Sequence, residues 1–145
     1  MNPQVGKVRA LGEVALRVTD LDRAVAFYRD VLQLSLMRRT GKLAFFELAP
    51  GFAGHTQVLA LFDRSDNEGY KSPDGPTTTL DHLAFTILAE DFEREKKRLM
   101  DLGHKLTFAE HAWVQWRSLY LKDPDGNTVE LVCFDETIER VSPED

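Results

Sequence analysis

The chain has 145 residues and a formal charge of −6, with 43% hydrophobic and 29% charged residues. That length excludes two large independent domains, and 24 acidic against 18 basic residues leave no global footprint for nucleic acid. The single cysteine, Cys133, excludes an internal disulfide framework; with no apolar run of membrane length and no leader, a cytoplasmic protein without a membrane partner is expected.

Glu13–Val18 (EVALRV) is short and rich in branched residues, which predicts a strand. Asp20 then precedes a run in which Leu21, Ala24, Val25, Tyr28, Val31 and Leu32 recur at helical spacing. An aspartate there suits the N-cap, because its carboxylate accepts an orphan amide hydrogen. Strand-like runs follow at Leu34–Arg38, Leu43–Leu48 and Gln57–Phe62. Residues 63–79 are polar, hold Gly69, Pro73, Gly75 and Pro76, and read as a connector. His82–Ile87 is again a strand, and Asp91–Leu102 a helix closed by Gly103. Further strands are expected at Lys105–Phe108, Trp113–Leu121 and Thr128–Phe134, the last two joined by the turn sequence Asp123-Pro124-Asp125-Gly126.

Each half thus reads strand, helix, three strands, an internal repeat of about half the chain. The expected division is 11–62 and 80–134 for two βαβββ modules, 63–79 for the connector and 135–145 for a tail. Glu13 aligns with His82, and Ala60 with Glu130, at offsets of 69 and 70. Duplicated modules tend to face one another about a pseudo-twofold axis, where equivalent positions meet. Three of these four residues are polar within apolar strands, where a carboxylate is costly unless it is paired or coordinates a cation. Glu13, His82 and Glu130 are therefore a candidate ligand set.

At these residues the sequence resembles the vicinal oxygen chelate superfamily, which includes glyoxalase I, fosfomycin-resistance thiol transferases, extradiol dioxygenases and bleomycin-resistance proteins. The resemblance runs from Leu11 to Phe134 and is carried by EVALRVTDLDRAVAFYRDVL, DHLAFTI and RSLYLKDPDGNTVELV. It implies an α+β fold of two duplicated βαβββ modules forming a cupped mixed β-sheet. It also implies a divalent metal held by the first and last strands of the modules, at Glu13, His82 and Glu130, with Ala60 standing where glyoxalase I uses a carboxylate. Glu13 departs from the histidine usual in the family. One histidine and two carboxylates form a hard set, favouring Fe(II) or Mn(II), with Mg(II), Ni(II) or Zn(II) as further candidates.

Tyr120 and His111 lie ten and nineteen residues before Glu130, the spacing at which extradiol dioxygenases place two hydrogen-bonding catalytic residues. The implied function is a metal-dependent enzyme acting on a small molecule with vicinal oxygens, with extradiol ring cleavage the nearest pattern and a homodimer the expected assembly. The main alternative is a metal-free, drug-sequestering binding protein, in which Trp113, Trp116 and Phe108 line a hydrophobic groove. A glyoxalase I-like lyase and a thiol transferase rank lower, the latter because AEHAWVQW lacks that branch's lysine- and serine-bearing loop.

Overall fold

In strand β1 (Glu13–Arg17), Leu16 is buried while Glu13, Ala15 and Arg17 are exposed, the alternation of a strand with one face on a core. The computed structural model describes residues 6–142, and the chain divides into two compact units, Met1–Pro73 and Asp74–Asp145.

In the first unit β1 is followed by α1 (Leu21–Ala26), β2 (Ser35–Arg39), β3 (Leu43–Ala49) and β4 (Gln57–Phe62). The Asp20 side chain accepts the Arg23 amide hydrogen at 3.1 Å, the expected N-cap. The helical run does not stay α-helical to its end. Phe27–Val31 widens into a π-helical turn, closed by the Leu32 amide donating to the Phe27 carbonyl at 3.0 Å. In this wider turn consecutive Phe27 and Tyr28 are both buried, their rings edge-to-face at 5.0 Å. Gln33, at φ +60°, then turns the chain out of the helix.

The second unit holds β5 (His82–Thr86), α2 (Phe92–Asp101), β6 (Thr107–His111), β7 (Trp116–Lys122) and β8 (Thr128–Phe134). Both units share one topology: sheet orders are β1-β4-β3-β2 and β5-β8-β7-β6, with the first pair in each parallel and the others antiparallel. The registers repeat as well. Glu13 pairs with Val58 and His82 with Thr128, while Ala15 pairs with Ala60 and Ala84 with Glu130. Two four-stranded mixed sheets with their helices make this an α+β fold of duplicated βαβββ units.

The expected strand at Lys105–Phe108 lies later in the chain, at Thr107–His111, and the start of the next is a turn. Gln115 adopts φ +60°, and its side-chain amide donates to the Ile138 carbonyl at 3.0 Å, fixing the reversal. The hairpin before β8 is built around Asp123, whose carboxylate accepts from the Asp125 and Asn127 amides at 2.9 Å and from Asn127 Nδ2 at 3.0 Å. Gly75 packs so closely on this hairpin that a Cβ there would stand 2.5 Å from the Gly126 carbonyl oxygen. No helix among the described residues is long and apolar enough to cross a membrane.

Candidate functional site

Side chains on paired positions of neighbouring strands share a face. In the second sheet this rule places His82 and Ala84 of β5, Glu130 of β8, Ser118 and Tyr120 of β7, and His111 of β6 on the face opposite Leu119 and Leu131. That face meets little cover on β5, where His82, Ala84 and Thr86 are all exposed.

Glu130 and Ser118, on the inner strands of this face, are buried, Glu130 at 6% exposure. Burying a carboxylate is costly unless it is hydrogen-bonded, paired or bound to a cation. Ser118, itself fully buried, donates its hydroxyl hydrogen to Glu130 Oε2 at 2.5 Å. The other oxygen, Oε1, lies 3.2 Å from His82 Nε2. On the far side of the imidazole, Nδ1 lies 2.7 Å from Asp81 Oδ2. Each ring nitrogen of His82 thus faces a carboxylate oxygen, Nδ1 that of Asp81 and Nε2 that of Glu130. Asp81 is 96% exposed, so this contact orients the ring while contributing little to stability. Tyr120 sits opposite Glu130 in the ladder, with its ring edge-to-face on His82 at 6.4 Å.

The donor chemistry of this pair suits a divalent cation. One imidazole nitrogen and one carboxylate oxygen, 3.2 Å apart, match two neighbouring ligands on an ion with bonds of about 2.0–2.2 Å. The carboxylate below the imidazole is the outer support that metal-bound histidines normally have. Among the described residues no group of three or more His, Cys, Asp or Glu side chains is arranged to hold a metal. The candidates are thus distributed as follows: His82, Glu130 and Tyr120 come together in the second unit, while Glu13 is the exposed first residue of β1 in the first unit. Ala60, the fourth repeat position, is fully buried.

His111 is on the same face but not at the pair. It pairs with Trp116, four positions along β6 from Thr107, which is the residue opposite Tyr120. Four residues and two strand spacings put it about 16 Å from Glu130 along the sheet. The hydrophobic groove expected of Trp113, Trp116 and Phe108 also divides. Trp113 and Trp116 stack at 6.4 Å, but Phe108 pairs with Leu119 on the opposite face, under the Lys96 ammonium at 4.9 Å.

Two contributors escaped the sequence reading, Ser118 and Asp81. Ser118 is two residues before Tyr120 on the same strand, so strand alternation alone puts both on the face of Glu130.

The similar proteins include enzymes of three reaction classes. The glutathione transferase FosA of Serratia marcescens is 31% identical over 124 residues, 86% of this chain and 80% of that protein. The catechol-2,3-dioxygenase of Bacillus subtilis (strain 168) is 29% identical over 124 residues, 83% of this chain but only 40% of the dioxygenase. Among solved structures, the lactoylglutathione lyase of Agrobacterium tumefaciens superposes with a TM-score of 0.60 at 28% identity, covering 86% of this chain and 92% of the lyase. The transferase branch, ranked lower on the loop AEHAWVQW, thus matches across 80% of that protein's length against 40% for the dioxygenase. The family model for the glyoxalase/bleomycin resistance protein/dioxygenase superfamily matches residues 10–131, and with the duplicated topology this shows that the chain belongs to that superfamily.

Proposed function

We propose that the protein is a divalent-metal-dependent enzyme that binds a small molecule through two adjacent oxygens and activates it without redox change at the metal. The carrying observation is the His82 Nε2–Glu130 Oε1 pair at 3.2 Å, braced by Ser118 on one side and Asp81 on the other. His82 and Glu130 would hold the ion, and Glu13 is proposed as a third donor on the strength of the repeat and the resemblance. Oxygen donors around a single imidazole favour Mn(II) or Fe(II), with Mn(II) preferred for a hard, anionic set. When bound, such an ion polarises the substrate oxygens and stabilises negative charge on them.

The chain's own residues supply the remainder. Ser118 occupies Glu130 Oε2 and leaves Oε1 to the ion. Asp81 would orient the imidazole through Nδ1. Tyr120, paired with Glu130 and edge-on to His82, would donate its phenolic hydrogen to a substrate oxygen. His111, about 16 Å away at the far end of the face, is given no role at the pair.

Extradiol ring cleavage is the second reading. The Tyr120 spacing and the likeness to a catechol dioxygenase favour it. The position of His111 weighs against it, because the second hydrogen-bonding group of that chemistry is absent from the pair within this unit.

Titration of metal-free protein with Mn(II), followed by electron paramagnetic resonance, tests the proposal. Saturable binding near one ion per chain, abolished by His82→Ala, is the expected result. Absence of saturable binding for Mn(II), Fe(II), Mg(II), Ni(II) and Zn(II) would remove the metal-enzyme reading in favour of the ligand-sequestering one. Oxygen consumption with catechol under Fe(II) separates the two reaction classes.

A further inference from the structure

The chain leaving β4 folds back on the end of β1 and closes a cleft of about 360 Å³ that lies wholly within the first unit. Two successive turns shape its wall, with the Asn67 amide donating to the Arg64 carbonyl at 2.9 Å and the Tyr70 amide to the Asn67 carbonyl at 3.1 Å. Arg17, Phe62, Arg64, Asn67 and Tyr70 face the space, together with Glu68. Arg17 pairs with Phe62 in the parallel ladder, and the Arg64 guanidinium lies over the Phe62 ring at 4.3 Å. Phe62 thus fixes the plane of the Arg64 guanidinium, and Arg17, its ladder partner, lines the same cleft.

Among the described residues neither cation has an ion-pair partner. The nearby loop carboxylates are engaged elsewhere: Asp63 and Asp66 meet Lys42 Nζ at 3.5 and 3.0 Å, and the Ser65 amide donates to Asp63 at 2.9 Å. Those contacts also hold the Asp63 carboxyl below its usual range, chiefly through hydrogen bonds from Ser65, while Lys42 is raised by its aspartates. Glu68 is the one carboxylate among the lining residues, and it forms no ion pair with either arginine. In a chain of charge −6, two guanidiniums and one carboxylate at a single cleft make a locally cationic site. Guanidinium forks match the two oxygens of a carboxylate, and the Asn67 amide and Tyr70 hydroxyl add donors of the same sense.

We infer that this cleft binds the carboxylate of a small organic acid between Arg17 and Arg64. The cleft includes neither His82 nor Glu130, which belong to the second unit, and Glu13 is not among its lining residues.

The test uses the full chain freed of metal with EDTA and titrated with sodium benzoate, reading the arginine Nε–H resonances by NMR. Saturable shifts of the Arg17 and Arg64 signals are expected at millimolar benzoate. Arg17→Gln and Arg64→Gln should each weaken binding roughly tenfold or more, the size of one lost charge-assisted hydrogen bond. Both are surface changes, and circular dichroism verifies that the variants fold. Binding should persist in His82→Ala. Equal shifts with sodium chloride at the same ionic strength, unchanged binding in the double arginine variant, or loss of binding in His82→Ala would each overturn the assignment. Tighter binding of inorganic phosphate than of benzoate at the same arginines would overturn the carboxylate class.

Discussion

Ser118 and Glu130 are joined by a buried hydrogen bond of 2.5 Å that leaves one carboxylate oxygen free to face His82. The hydroxyl occupies one oxygen of Glu130 and leaves the other available, so it governs the geometry of the pair through Glu130 alone. Ser118→Ala should weaken Mn(II) binding by about tenfold to a hundredfold. It should also cost roughly 1–3 kcal/mol of stability, because a buried carboxylate oxygen loses its donor. Calorimetric metal titration and urea denaturation measure the two effects separately. Unchanged metal affinity would make the serine a packing residue only.

Glu130→Gln retains the shape of the side chain and removes its charge. Metal binding should be lost while the fold persists, since an amide oxygen still accepts from Ser118. Glu13→Gln tests the third donor. If Glu13 coordinates the ion, its affinity falls while the His82–Glu130 pair is untouched; equal affinity would reduce the protein's ligand set to two.

Tyr120→Phe keeps the ring that packs edge-to-face on His82 and deletes the hydroxyl. Metal affinity should remain within about twofold, whereas turnover of the substrate, once identified, should fall by roughly a hundredfold. A steady-state comparison of kcat and metal affinity checks this. Full turnover in the variant would exclude the phenol from proton or hydrogen-bond donation.

Asp135 accepts from the Thr137 hydroxyl at 2.6 Å and amide at 3.0 Å and pairs with Arg117 at 3.0 Å. The hydrogen bonds from Thr137, aided by Arg117, hold its carboxyl below the usual value. A group whose pKa is depressed by folding stabilises the protein above its unfolded value, and that stabilisation disappears as pH falls through the folded value. Asp135→Asn should therefore destabilise by about 1 kcal/mol at neutral pH. The difference from the parent should vanish in strong acid, below the ordinary carboxyl range. Thermal melts across pH 2–7 measure both limits, and a difference that persisted in strong acid would contradict the assignment.

Burial raises the Cys133 thiol above its ordinary value, with Asp135 adding to the rise and Arg117 opposing it. The thiolate is the reactive form, so the folded protein should react with a disulfide reagent far more slowly than the protein in guanidinium. Stopped-flow thiol titration in both conditions reads the contrast.

The repeat and its strands were legible because one-sided burial writes a period of two into residues such as Leu83, Phe85, Val129 and Leu131. The π-helical turn was not, since five residues cannot distinguish a period of 3.6 from a slightly wider one. The turn before β7 was hidden for another reason: Gln115 enters left-handed space with no glycine to announce it, held by carbonyls more than twenty residues later. That turn also explains His111. A spacing of nineteen residues from Glu130 counts chain length, whereas the reversal at Ala112–Gln115 leaves the histidine at the distant end of β6. Ser118 was hidden because a lone serine carries no chemical pattern, and only its register beside Tyr120 gives it meaning.

The strand order β5-β8-β7-β6 makes the first strand of the second unit a neighbour of the last alone. A chain emerging from the ribosome therefore exposes His82 long before Glu130 exists, and β5 has no backbone partner until β8 has been made. Translation sets an arrival order on the pair: the imidazole comes first and waits, while its buried carboxylate completes the sheet. Nascent chains released before Thr128 should lack both the parallel ladder and the ion-binding pair, so a premature stop in this stretch removes the candidate metal-binding pair together with the edge that shelters it.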